Sequence, residues 1–161
     1  MMTNSIDNTK EDALTRTENQ QCFMERPARY ALRERLSVPQ EVRLLAPFAA
    51  VQLDAYIAAH DAKYTYWSLR PSLADNAIAP LIPQPNHPAY VSNAAIIASA
   101  VAELIGYMVP QEAASWQYLS EEAGLSRLYA GIHYPCDERA GNLMGKHLGA
   151  LAIQRDRLNE Q

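Results

Sequence analysis

The chain is 161 residues long with a mass of 17.9 kDa, enough for one domain with a buried core. Its net charge of −4 and isoelectric point near 5.5 exclude general electrostatic binding to nucleic acid or to an anionic membrane, which need a positive excess. Two cysteines, Cys22 and Cys136, make neither a disulfide framework nor a metal-ligand pattern; a single bridge between them is the most they allow.

In chain order, the pattern reads as an all-helical bundle. Residues 1–25, opening MMTNSIDNTKEDALTRTENQQ, lack an apolar core and read as a disordered tail, neither signal peptide nor membrane anchor. The domain then occupies residues 26–161. A short helix is expected from about Arg26 to Leu36, and Pro39 suits the first residue of the next. Pro47 is expected to kink or interrupt that helix before it runs on from about Phe48 to Leu69, where Pro71 ends it and fixes the position of Arg70. A Pro-rich loop from Pro80 to Pro88 leads to a helix over about Ser92–Met108, with Ser92 as its N-cap. Another helix covers about Gln111–Tyr129, a turn follows at Gly131–Pro135, and the last helix runs from about Cys136 to Leu158. In that helix Gly141, Gly145 and Gly149 recur every four residues and make a smooth strip suited to close packing. The longest apolar run, from Ala94, is broken by Glu103 before about 18 residues, so no membrane span and a soluble, cytoplasmic protein are expected.

Two spaced sets of residues carry the chemistry. Lys63 is followed after six residues by Arg70 and Pro71; Ser126 and Arg127 are followed after five by His133 and after three more by Asp137. At about 5% per residue type, chance gives the first pattern in roughly 2% of such chains and the second in fewer than about 0.1%, so their joint occurrence is signal. Arg70 and Arg127 are planar forks that can each hold two oxygens of a phosphate, and Lys63 adds a compact charge. Amides near Asn93 and Ala94, at the start of the Ser92-capped helix, suit the same anion. His133 is the candidate nucleophile, with Asp137 setting its tautomer. Plainer readings exist: Lys63 and Arg70 also fit one solvated helix face, and Asp137 also fits a cap of the last helix. Zinc lacks a third ligand beside His133 and Asp137, and neither Ser92 nor Ser126 lies in a nucleophile-elbow pattern.

These blocks resemble the signature of the superfamily of type 2 phosphatidic acid phosphatases, bacterial class A acid phosphatases and vanadium-dependent haloperoxidases. Lys-x6-Arg-Pro is complete in KYTYWSLRP, and Ser-Arg-x5-His-x3-Asp is complete in SRLYAGIHYPCD. The middle block, normally Pro-Ser-Gly-His, aligns with Val91, Ser92, Asn93 and Ala94, where Ser92 alone matches. The resemblance covers about residues 42–155. It implies a helical bundle with the anion site at one end, and the sequence leans to the soluble haloperoxidase-like branch. It also implies that vanadate, if bound, sits on His133, whereas phosphatase activity needs no cofactor.

The histidine that protonates the leaving group in that family falls at Ala94, and alanine has no proton to give. Loss of a positioned acid costs about 10²–10⁴ in rate, or roughly 3–5 kcal/mol of barrier. His87 and Tyr90, just upstream, are alternative donors, but the loop is the preferred place for both. The leading expectation is an attenuated phosphatase acting through a phosphohistidine at His133 on a small phosphorylated substrate. The alternatives are a non-catalytic phosphate-binding relative and a vanadate-dependent haloperoxidase. Because few helices precede Lys63, the bundle reads as truncated, with an apolar face that a homodimer would cover.

Overall fold

The structure is a computed structural model that describes residues 25–159. The tail expected over residues 1–25 lies outside it except for its last residue, and so does Cys22; Cys136 is a free thiol. The regular elements are helical: α1 over residues 25–33, then α2 (Val38–Tyr66), α3 (Pro71–Ala74), α4 (Asn93–Met108), a 3₁₀ turn (Pro110–Glu112), α5 (Ala113–Tyr129) and α6 (Pro135–Asn159).

Helix α4 is the centre of the bundle, with α2, α5 and α6 all packed on it. Its sequence allows this because small and branched apolar residues surround it: Ala95, Ile96, Ala98, Ala100, Val101, Ala102, Leu104 and Ile105 are all buried, and a helix apolar on nearly every side must be enclosed. The three glycines of α6 provide the closest approach. A Cβ at Gly141 would stand 2.9 Å from Ala95 Cβ, one at Gly145 would stand 2.7 Å from Ser99 Cβ, and one at Gly149 would stand 2.8 Å from the Ala100 carbonyl. The strip read from the sequence is therefore the α4–α6 seam.

Helix α2 differs from expectation in two ways. It runs unbroken through Pro47. Proline removes one backbone bond, but Leu44, Phe48, Val51, Ala55, Ala59 and Ala62 form one buried stripe across it, and that burial holds the helix together. The helix also ends at Tyr66, where Trp67 adopts a left-handed conformation (φ 48°) and its N–H bonds the Lys63 carbonyl at 3.0 Å. Pro71 therefore does not end this helix; it opens α3, and it holds Arg70 in extended backbone at φ −72°, ψ 153°. Lys63 and Arg70 consequently lie on different elements, not on one helix face.

The outward side of α2 is apolar as well, with Val42, Leu53, Ile57 and Tyr64 exposed. By length and composition the Val38–Ala74 stretch is apolar enough to cross a membrane: its most apolar 18 residues have a mean hydropathy of 1.3, and 28% of them are buried. Counting only uninterrupted apolar residues missed it, because charged residues such as Arg43 and Asp54 punctuate it. Length and composition do not distinguish a spanning helix from a core helix.

The end of α2, the start of α4, the end of α5 and the start of α6 converge at one end of the bundle. Every residue of the two sequence blocks sits there or in the adjoining loops.

Candidate active site

His133 occupies the turn before α6 and is 7% exposed. Its Nδ1 lies 3.0 Å from Asp137 Oδ2, and its Nε2 lies 3.0 Å from Arg70 Nη1. A guanidinium can only donate, so Nε2 accepts and the ring proton resides on Nδ1, which donates to the carboxylate. The imidazole is thereby fixed in the tautomer with its Nε2 lone pair turned towards a cation. Burial, opposed by the bond to Asp137 and assisted by the charges of Arg70 and Lys63, lowers His133 to about 4, so the ring is neutral near pH 7.

Asp137 combines two roles that the sequence offered as rivals. Burial pushes its carboxyl upward, but the bonds from His133 and from the Tyr134 N–H (3.0 Å to Oδ2) outweigh this and hold it below its ordinary value. The Tyr134 bond caps the first turn of α6, so the group that orients the imidazole also anchors the helix start. Cys136, to which the sequence assigns no role, places its Sγ 3.6 Å from Asp137 Oδ1.

Arg70 is 2% exposed and links several segments. Nη1 also donates to the Ile132 carbonyl (2.7 Å), Nε donates to the His87 carbonyl (3.1 Å), and Nη2 lies 3.1 Å from His87 Nδ1. One guanidinium therefore holds an imidazole on each terminal nitrogen.

Lys63 is fully buried. Its three ammonium hydrogens match three carbonyls, those of Pro88 (2.8 Å), Ala89 (2.9 Å) and Val91 (2.5 Å), so it clamps the loop leading into α4. To touch an oxyanion it must release one of them. Burial and the nearby Arg70, opposed by Asp137, lower it to about 7.

Ser92 is the N-cap of α4 as expected: its Oγ accepts from the Ala95 N–H at 3.4 Å, which leaves the hydroxyl hydrogen to donate elsewhere. Its own N–H bonds the Asp137 carbonyl at 3.1 Å, which joins the α4 start to the α6 start. Asn93 opens α4, and its Oδ1 is buried without a hydrogen-bond partner among the described residues. Ala94 follows in the first turn, buried. Arg127, in the last turn of α5, donates from Nε to Ser126 Oγ at 2.9 Å. Its carbonyl takes the Ile132 N–H at 3.3 Å, fixing the turn that precedes His133. Burial lowers Arg127 from its ordinary value.

A cleft of about 440 Å³ opens beside Arg70. Tyr64, Trp67, Leu69 and Leu73 form its apolar lining, and Arg70 and His87 are among its polar groups, with Ser68, Gln84 and Asn86. The two spaced blocks gave no sign of this cleft or of the place of His87 in it; the signal was the Pro-rich loop itself, whose carbonyls and imidazole turn inward.

A family model, the VCPO second helical-bundle domain, matches residues 109–159. No curated protein matches by sequence. Among solved structures, a bacterial vanadium-dependent iodoperoxidase is similar at 20% identity and a TM-score of 0.76, over 84% of this chain and 38% of that one. A holo-type bacterial vanadium-dependent chloroperoxidase is similar at 12% identity and a TM-score of 0.70, over 96% of this chain and 48% of that one. LpxE of Aquifex aeolicus follows at 19% identity and 0.64, over 88% and 86%. The chain thus spans less than half the length of the two peroxidases.

Proposed function

We propose that this chain, which has the fold of the type 2 phosphatidic acid phosphatase and vanadium haloperoxidase superfamily, binds a tetrahedral oxyanion and hydrolyses phosphoric monoesters through His133. The observation that carries the reading is the doubly held imidazole: Asp137 on Nδ1 and Arg70 on Nε2 leave a neutral ring whose Nε2 lone pair is engaged by the guanidinium and is released when an anion pairs with that guanidinium instead.

In the first step the Nε2 lone pair forms an N–P bond while the P–O bond to the alcohol breaks, its electrons leaving with the oxygen. Asp137 stabilises the charge that develops on the ring. Arg70, Arg127 and the amides at the start of α4 hold the equatorial oxygens. Water then attacks phosphorus, the N–P electrons return to His133, and inorganic phosphate leaves.

The same residues suit vanadate, since the buried, unpartnered Asn93 Oδ1 can accept from a protonated oxygen of either anion. His133 Nε2 would hold the vanadium and the arginines its oxygens, and the bound group would activate a peroxide, the oxidant that halide oxidation needs. A second reading, a binding relative without turnover, is favoured by Ala94 and by the full commitment of Lys63 to carbonyls.

The test is hydrolysis of p-nitrophenyl phosphate by the full chain and by His133→Ala, with phosphate binding measured on both. Turnover that vanishes in His133→Ala supports the hydrolase. Binding without turnover supports the second reading, and absence of both overturns the oxyanion site.

A further inference from the structure

We infer that His87 is the proton donor to the leaving group, and that this group is an apolar or aromatic alcohol lodged in the cleft at Tyr64, Trp67, Leu69 and Leu73. The inference rests on the reading of His133 as nucleophile.

The two imidazoles meet the same guanidinium on different nitrogens, His133 on Nη1 and His87 on Nη2. An oxyanion that takes the place of these contacts comes between the two rings. One ring can then attack phosphorus while the other faces the departing oxygen. The two rings are not equivalent in access: His87 lines the cleft, whereas His133 is nearly enclosed. The cleft on the His87 side gives an alcohol too large to be buried a place to project, against the aromatic and leucine lining. Ala94 offers no proton from the start of α4.

The His87 ring has the partners a donor needs. In the structure Nδ1 accepts from Arg70, but the Pro88 carbonyl stands 3.3 Å from the same nitrogen. Once Arg70 turns to the anion, a proton on Nδ1 bonds that carbonyl, and Nε2–H is left to donate. Burial, with the Pro88 carbonyl opposing, and the positive charges of Lys63 and Arg70 hold His87 below its ordinary value. A phosphate dianion brings the opposite charge. As the P–O bond breaks, the alkoxide takes the proton from His87; the neutral ring then takes one from the water that attacks the phosphohistidine.

The experiment compares kcat/KM for p-nitrophenyl phosphate, whose leaving group needs little help, with that for hexyl phosphate, whose leaving group needs a proton. His87→Ala is expected to lose about 10²–10⁴-fold on hexyl phosphate and less than about tenfold on the aryl ester. A merely structural role lowers both alike, and an equal fall overturns the proposal. Imidazole NMR of the unmodified chain gives a second readout that does not depend on the variant folding: saturating phosphate should raise the His87 pKa, and an unmoved pKa overturns the assignment. If turnover depends on His133 but is indifferent to His87, His87 alone is wrong. If the parent shows no turnover, the hydrolase reading and this one fall together.

Discussion

Arg70 Nη1 stands 3.0 Å from His133 Nε2, so the nitrogen that would attack an electrophile is held by the cation that would receive the substrate. The resting site is closed on itself: Arg70 covers the nucleophile and Lys63 is spent on the Pro88, Ala89 and Val91 carbonyls. An incoming oxyanion competes with these bonds, so affinity reports the difference between the two sets of partners.

Asp137→Asn should preserve the cap on α6, since an amide oxygen can still accept from the Tyr134 N–H, while removing the charge that stabilises the ring. Turnover on p-nitrophenyl phosphate should fall by about 10³ or more, by analogy with the loss when the carboxylate of a serine protease triad is neutralised. Circular dichroism should be unchanged. A fall below tenfold in a folded variant would argue that Asp137 is only a cap.

Lys63 titrates near 7 when buried, and only its protonated form attracts an anion. Affinity for sulfate, whose charge is constant across this range, should be highest below about pH 7 and decline as pH rises above it, by up to about tenfold per unit. Calorimetry in two buffers of different ionisation enthalpy should detect proton uptake on sulfate binding at pH 8 in the parent and in His87→Ala alike. Uptake that is absent at pH 8 would place Lys63 outside the anion site.

His133 must be neutral to attack, and its pKa is about 4, so the acid limb of kcat/KM should lie near 4 and not near the ordinary histidine value of 6.5. His87 must be protonated to donate, and its pKa lies below 6.5, so the alkaline limb should also be acidic. A pH–rate profile of the unmodified chain checks both limbs. A rate that climbs from pH 6 to 8 contradicts the pair of roles.

Gly145→Ala tests the α4–α6 seam. Helix propensity alone predicts stabilisation of about 1 kcal/mol. A Cβ there would meet the Ile96 carbonyl and Ser99 Cβ, and overpacking of this kind costs about 1–3 kcal/mol. Denaturant unfolding should show net destabilisation, and a gain would mean the seam is looser than described.

The site residues with fixed spacing were legible because their chemistry is carried by side-chain type. Ser92 was readable as a cap, and the glycines of α6 as a contact strip, because both are local signals. Helix α2 was misread at Pro47 and at its end because neither is decided locally. Buried packing on α4 overrides a missing backbone bond at Pro47, and Trp67, a residue with no special turn preference, takes the left-handed conformation that stops the helix. The partners of Lys63 were hidden for the same reason, since carbonyls carry no sequence signature. His87 is readable from the sequence only as a loop residue and an alternative donor, because nothing in the sequence shows that its loop folds back onto Arg70.

The bond from the Ser92 N–H to the Asp137 carbonyl sits at one end of the glycine seam, where Gly141 abuts Ser92 and Ala95. The start of α4 and His133, just ahead of α6, are thus set against each other by the registration of the two helices along the Gly141–Gly149 seam. A slip of one residue along α6 would displace His133 by about 1.5 Å, half the length of a hydrogen bond and enough to misalign an in-line attack. The three glycines act as the notches of a ruler: the tolerance of the chemistry is set by small residues, the farthest of which lies four helical turns away on the seam.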